Sequence, residues 1–482
     1  MLQIYVIKRA KTKAIYKCSQ RMNTFAQFMK NIEELRDGHV GRLMLKYFIP
    51  AFVGVFVNAL YNIVDRIFIG QGVSAEALSG VSVIFPIMMI MMGFGMLIGI
   101  GTGVYVSINM GKRQMDRAEE TLGTGFMLML ISSALIMVVT YALKVPILRS
   151  FGSTEETFQY ANDYLNIILA GVPFMVIGFS MNNVIRSEGN ARIAMISMLL
   201  SSVTNLILDP IFIFWLDMGV KGAAYATIIS MFVLMLWVLY HFTKSHRAVI
   251  KLKLKNIRIN WEILMEIVVI GMAPFSMQVA GSFVQGLLNK KLIMFGGDLA
   301  AGAMGIINSV LTLVIMAIVA LNMASQPIIG FNYGAKSVDR IRQTLRITLI
   351  WATVISIVAY VFIEAFPGAI IKVFNSDSAT LYDIASRGLR LVILALPVVG
   401  FQVVASNFFQ AIGKAGLSMF ATLFRQAIIL LPLLLLLPAF WHIDGIWISF
   451  PISDGIAAIA VAFILYREWK RLPLLVQSNE EG

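Results

Sequence analysis

Residues 77–108 read ALSGVSVIFPIMMIMMGFGMLIGIGTGVYVSI, 32 consecutive positions without one charged side chain. Coiled as an α-helix at about 1.5 Å per residue, such a run exceeds the roughly 30 Å of hydrocarbon in a bilayer. Gly95, Gly99 and Gly103 recur on it every four residues, the small-xxx-small pattern that lets membrane helices approach closely. Outward from this stretch the same signal returns eleven times. Windows of about 20 mainly apolar residues fall at 44–68, 119–143, 160–185, 192–216, 220–242, 262–289, 299–331, 342–365, 386–411, 415–440 and 443–466. No run of about ten alternating residues recurs, which excludes a membrane β-barrel. The fold class is an all-α polytopic membrane protein with twelve transmembrane helices.

The composition agrees. Of 482 residues, 59% are hydrophobic and 13% charged, about half the charge a soluble domain carries. The single Cys18 excludes a disulfide scaffold, and His39, His241, His246 and His442 show no metal-binding spacing. No Walker motif, nucleophile elbow or paired-carboxylate signature is present, so the chain is read as no enzyme and as needing no cofactor. Active transport would then draw on an ion gradient.

The net charge of +13 suggests nucleic acid until the spans are placed. With the N-terminus inside, the inner segments hold 29 Lys and Arg and the outer loops nine, with Arg425 inside a span. Cytoplasmic loops of membrane proteins carry such an excess. Both termini are therefore expected in the cytoplasm, and the basic charge leaves no role for nucleic acid. Residues 1–43 form a polar, basic extension, too weakly apolar for a signal peptide. A surface helix on anionic lipid, a disordered tail and an over-long translation start (Met22 and Met29 follow) are all compatible with it.

The second half repeats the first. Pro50 and Pro173 match Pro274 and Pro397; Asn183, Gly189 and Ala191 match Asn407, Gly413 and Ala415. Gly111 with Asp116-Arg117 matches Gly334 with Asp339-Arg340, Thr121-Leu122 matches Thr344-Leu345, and Gly222 matches Gly445. The spacing of these pairs is 223 or 224 throughout. Each half has six helices, an even number, so the halves are oriented alike about a pseudo-two-fold axis along the membrane normal. The expected organisation is a six-helix bundle at 44–242, a basic cytoplasmic linker at 243–261, a second bundle at 262–466 and a cytoplasmic tail at 467–482. Two like-oriented bundles around a shared cavity is a transporter architecture.

Ionisable side chains inside spans are costly and point to function. Asp65 stands in NIVDR at the end of helix 1, and Asp209 in NLILDP within helix 5. Asn205 shares one helix face with Asp209, four residues away. By rise per residue, Asp209 lies about 26 Å from the inner end and Thr227 of helix 6 about 10–12 Å below the outer surface. Asp65, Asn205, Asp209 and Thr227 could therefore meet in the outer half of the first bundle. Two carboxylates, an amide oxygen and a hydroxyl suit a hard cation such as Na⁺. Alternatively the carboxylates share a proton, because neighbouring like charges raise one pKa. Arg425 and Asp454 both reach mid-membrane in the second bundle, where each needs a partner, and are expected to form a buried charge pair.

The stretches Asn62–Gly72 (NIVDRIFIGQG), Arg186–Ala191 (RSEGNA), Asn205–Phe214 (NLILDPIFIF) and Gly222–Thr227 (GAAYAT) resemble the multidrug and toxic compound extrusion (MATE) family of secondary antiporters, most of all its bacterial multidrug exporters. The resemblance covers about residues 40–466. It implies two six-helix bundles in a V, alternating access, and Na⁺- or H⁺-coupled export of amphiphilic, often cationic drugs across the bacterial cytoplasmic membrane. Position by position it assigns Asp65, Asn205, Asp209 and Thr227 to the cation site, with Asn182 or Asn183 as additional candidates. Some branches use a carboxylate in helix 7; here Pro274–Ser282 (PFSMQVAGS) contains none. The implied partners are small organic molecules and lipid, with the protein a monomer. The competing reading is a flippase for lipid-linked oligosaccharide or polysaccharide precursors. It would need basic residues in the cavity for phosphate, and only Arg425 is placed to serve.

Overall fold

Among the described residues, apolar runs separated by glycine, proline and charge become twelve helical spans, one of them a bent pair, in two bundles of six. The computed structural model describes residues 33–72, 75–151, 153, 155–374 and 379–477. Most of the N-terminal extension, residues 1–32, lies outside that set. The first bundle contains α1 (Val40–Gly72), α2 (Ala75–Gly111), α3 (Met115–Ala142), α4 (Glu155–Ser187), α5 (Ala191–Pro210) and α6 (Gly219–Thr243). The second contains α7 (Trp261–Gly297), α8 (Leu299–Gly334) and α9 (Val338–Ala365). It continues with α10, built from Ala379–Ile393 and Leu396–Ala411, then α11 at 415–441 and α12 at 443–477. The described residues include no strand.

Two elements depart from the sequence expectation. The span expected as one helix at 386–411 is bent by 51° between Ile393 and Leu396. Pro397 explains the break, since its ring and missing N–H disrupt the turn around the carbonyl of Ile393. Helix α1 runs to Gly72, so Asp65 sits about two turns inside it rather than at its end.

The backbone repeats as the sequence does. A short helix follows α3 (Lys144–Ser150) and another follows α9 (Pro367–Phe374). Left-handed residues stand at matching places: Arg113 (φ 62°) and Lys336 (φ 59°), Gly189 (φ 92°) and Gly413 (φ 76°). Positive φ is uncommon outside glycine, so the Arg113 and Lys336 pair marks one turn built twice.

The bundles meet on the pseudo-two-fold axis, at the end of the molecule that carries the linker. There Gly111 and Gly334 cross. A Cβ on Gly111 would lie 1.9 Å from the Phe331 carbonyl oxygen, and one on Gly334 2.0 Å from that of Ile108. Only glycine permits this approach. Two further contacts clamp the same end. Arg117 of α3 pairs with Glu262 at the start of α7. Its repeat mate Arg340 of α9 donates to the carbonyls of Leu35 (3.1 Å) and Gly38 (2.8 Å), just ahead of α1. One buried core joins the bundles here, with Leu35, Ile98 and Val106 packed with Ile263, Ile267 and Ile328. A separate core containing Leu288, Ile307, Leu434 and Trp447 belongs to the second bundle alone.

Candidate functional site

Helix α5 carries the polar site away from the linker end. Asn205 and Asp209 stand one turn apart, each with only 1% of its surface exposed. The Asn205 amide donates to Asp209 Oδ1 at 3.3 Å. The Asn205 Oδ1 oxygen is buried without a hydrogen-bond partner. Pro210 cannot donate to the helix, and residues Ile211–Trp215 continue as a π-helix. Such widened turns release backbone groups and recur at functional sites. Helix α6 packs close against this segment, because a Cβ on Gly222 would lie 2.7 Å from the Phe212 carbonyl oxygen. The same helix presents Thr227, 5% exposed. Asp65 lies on α1, but its side chain is outside the described residues, and so is its approach to Asp209.

The donor atoms in view are a carboxylate, an amide oxygen without a partner and, on the neighbouring helix, a hydroxyl. Oxygen-only sets suit hard monovalent or divalent cations, and a carboxylate buried this deeply can equally carry a proton. Among the described residues no three His, Cys, Asp or Glu gather as a metal cluster.

The structure brings Asn182 and Asn183 to a different partner. Both amide oxygens accept from the buried Arg186 guanidinium, Asn183 at 2.6 Å. The Asn182 amide donates to the Ala194 carbonyl at 2.9 Å. Ala194 is fifteen residues before Asp209 on α5, about 22 Å along the axis. These asparagines hold Arg186 near the linker end. In the second bundle Arg425 of α11 and Asp454 of α12 form an ion pair, with Asp454 buried. The Ser453 hydroxyl donates to the Arg425 carbonyl at 2.9 Å.

Sequence reasoning missed one cluster. Glu188, fully buried, sits 2.5 Å from His241 Nε2 and accepts from the backbone amides of Val249 (2.9 Å) and Ile250 (3.3 Å) in the linker. Glu119 of α3 takes the Lys251 amide at 3.3 Å and the Lys253 ammonium. Burial pushes the Lys251 ammonium below its usual pKa, while Glu188 and Glu119 pull it back up. The linker is thus strapped across the first bundle by carboxylates. The only sequence signal was an acid in RSEGNA with no assigned role.

Comparison with known proteins follows this geometry. The profile of the MatE family matches residues 50–211 and 264–436. The multidrug export protein MepA of Staphylococcus aureus (strain N315) is 27% identical over 444 residues, covering 92% of this chain and 97% of that protein. MepA of Staphylococcus saprophyticus is 28% identical over 424 residues, covering 88% and 93%. Among solved structures, the outward-facing conformation of a multidrug resistance MATE family transporter of the MOP superfamily superposes with a TM-score of 0.86 at 27% identity, covering 92% of this chain and 98% of that one. A MOP superfamily transporter from Pyrococcus furiosus gives 0.87 at 27% identity, with coverage of 92% and 98%.

Proposed function

The chain belongs to the MATE family of multidrug efflux transporters, and from that premise we propose that it is a cation-coupled antiporter, driven by Na⁺ or H⁺, that exports amphiphilic, often cationic organic molecules across the bacterial cytoplasmic membrane. The observation that carries the reading is the buried Asn205–Asp209 pair, with an orphaned amide oxygen, inside a membrane-spanning helix. Ionisable side chains at that depth are costly and point to function. A site there that binds a cation or proton more tightly in one state than in the other is what couples an antiporter to its gradient.

The closed linker end fits one half of an alternating-access cycle. The excess of Lys and Arg at the linker end supports a cytoplasmic assignment for that end and both termini. Residues Asp65, Asn205, Asp209 and Thr227 make up the coupling site in this reading, and the protein acts as a monomer. The flippase alternative has only Arg425 to offer a phosphate, and that side chain is already paired through Nε with Asp454.

The test is efflux of ethidium from vesicles under Na⁺ and pH gradients imposed separately. One of the two gradients should drive accumulation against concentration. Efflux indifferent to both would overturn the coupling assignment.

A further inference from the structure

The second bundle contains a cavity that the coupling site does not use. It measures about 360 Å³ and lies between α7 and α11, lined by Phe275, Ser276, Val279, Phe283, Ala427 and Leu431 among others. Its position is set by the internal repeat. At the spacing of 222, Ala427 and Leu431 stand where the first bundle has Asn205 and Asp209, and Pro432 follows Leu431 as Pro210 follows Asp209. The duplicated frame therefore holds a polar site in one bundle and an apolar hollow in the other.

We propose that this cavity is a binding site for uncharged, aromatic-ring-bearing small molecules, or for the neutral ring system of an amphiphilic one. Three observations carry the assignment. Its size and its mainly hydrophobic, aromatic lining are those of small-molecule pockets. Its lining contains no charged side chain, and Ser276 supplies the one polar side chain. An ionised group would enter at a heavy cost there, whereas a ring finds Phe275 and Phe283 as partners for edge or offset contact. The nearest mid-membrane charge, Arg425, falls two residues from Leu423 and Ala427, on the far side of α11, and is neutralised by Asp454.

The second observation is the wall itself. Residues Phe424–Leu430 form a π-helix, a local widening that recurs at functional sites. The first bundle has its own π-helix directly after Asp209-Pro210. The third is location. Phe275 packs on Phe94 of α2, ring centroids 4.8 Å apart, so the cavity adjoins the seam between the bundles. A ligand there would touch the helix whose partner must move if the bundles rock. The inference rests on the efflux reading only in making such a ligand a substrate; the binding claim stands by itself.

The experiment is equilibrium binding of N-phenyl-1-naphthylamine, a neutral ring-bearing fluorophore, to the full chain in lipid nanodiscs, with empty nanodiscs subtracted and no gradient present. Wild type should bind saturably. Ala427→Trp should weaken binding at least tenfold by filling the hollow. The double change Ala427→Asn with Leu431→Asp, which copies the first bundle's pair, should do the same by polarity. Ser276→Cys supplies a readout that does not depend on disrupting the pocket: its alkylation by N-ethylmaleimide should slow when the fluorophore is present. Wild-type affinity in both filled and polar variants, or alkylation indifferent to the fluorophore, would overturn the proposal. Displacement of the fluorophore by hexadecane at equal concentration would also overturn it, in favour of an acyl chain. Asp209→Asn should bind the fluorophore as wild type does, so a failed efflux assay and a failed pocket give different results.

Discussion

The two bundles share a backbone path and differ in what they bury along it. Where the first has Asn205 and Asp209, the second has Ala427 and Leu431; where the first has Glu188 and His241, the second has Ile412 and Ile464. The reverse exchange also occurs, since Arg425 and Asp454 replace Val203 and Met231. All five of the acids and bases in these pairs are at least largely buried. Duplication thus kept the turns, prolines and crossing glycines that shape a helix bundle, and moved the polar groups independently. The lesson is that packing symmetry and chemical symmetry come apart: a six-helix bundle tolerates either filling, so the shared backbone path does not dictate where its buried polar groups stand.

The largest effect should come from erasing the difference at the coupling site. Asp209→Asn keeps size and much of the hydrogen bonding but removes the charge that holds a cation or titrates. Gradient-driven ethidium efflux from vesicles with matched protein levels should fall to the level of empty vesicles, while drug binding and membrane insertion persist. With no acid in Pro274–Ser282, no carboxylate in that stretch of α7 can substitute. Unimpaired efflux would move the assignment to Asp454 in the second bundle.

The second bundle's own charges give the next effect. Arg425→Ala leaves Asp454 buried and without its partner and should cost roughly 3 kcal/mol of stability, as broken buried pairs do. Arg425→Ala with Asp454→Ala should cost less than the single change. Thermal unfolding in detergent, read for all three variants, decides it. A double variant less stable than the single one would show that the pair contributes net stability instead of merely cancelling two charges.

Much of the fold was legible because its signals are local or periodic. Apolar runs mark the spans, and Pro397 marks the bend that a hydropathy window slides over. Rise per residue placed Arg425 and Asp454 at one depth, and the side chains meet. Helical spacing put Asn205 and Asp209 on one face, and they are hydrogen-bonded. The unreadable parts depend on contacts between distant segments. Glu188 and His241 are 53 residues apart, and apart from the nearby Asn190 amide the acid's other partners are linker backbone amides, which no residue pattern reveals. Asn182 and Asn183 were additional cation-site candidates through the family resemblance alone, and both amide oxygens accept from Arg186 on the next turn. The cavity is an absence of atoms left where alanine replaces asparagine, and no motif encodes it.

A transplant sharpens the comparison at the linker. Glu188→Ile with His241→Ile reproduces the second bundle's Ile412 and Ile464. Glu188→Ile alone strands His241 and the amides of Val249 and Ile250, while the double change strands only the amides. Each buried group without a partner costs about 1–3 kcal/mol. The double variant should therefore recover part of the stability lost by Glu188→Ile, though not all, in thermal unfolding, and its linker should be cut faster by trypsin than wild type. Full recovery would mean that the amides find another acceptor and that the strap is dispensable.

The smallest effect separates the two clamps at the linker end. Arg117 and Arg340 are repeat mates, yet Arg117 faces a carboxylate, Glu262, whose side chain is 69% exposed, while Arg340 faces two backbone carbonyls in a partly buried site. Exposed ion pairs are worth about 0–1 kcal/mol and weaken with salt. Hydrogen bonds from a charged donor are worth about 1.5–3 kcal/mol and are less screened when partly buried. Arg340→Ala should therefore open the linker end more than Arg117→Ala. Spin labels on the linker-end turns of the two bundles, with distances measured at low and high salt, report the shift. In Arg117→Ala the low-salt distances should match those of wild type at high salt. In Arg340→Ala the change should persist at both ionic strengths. Equal and equally salt-sensitive responses would show that the clamps act as one symmetric pair of charges, and the asymmetry seen in the buried chemistry would then stop short of the surface.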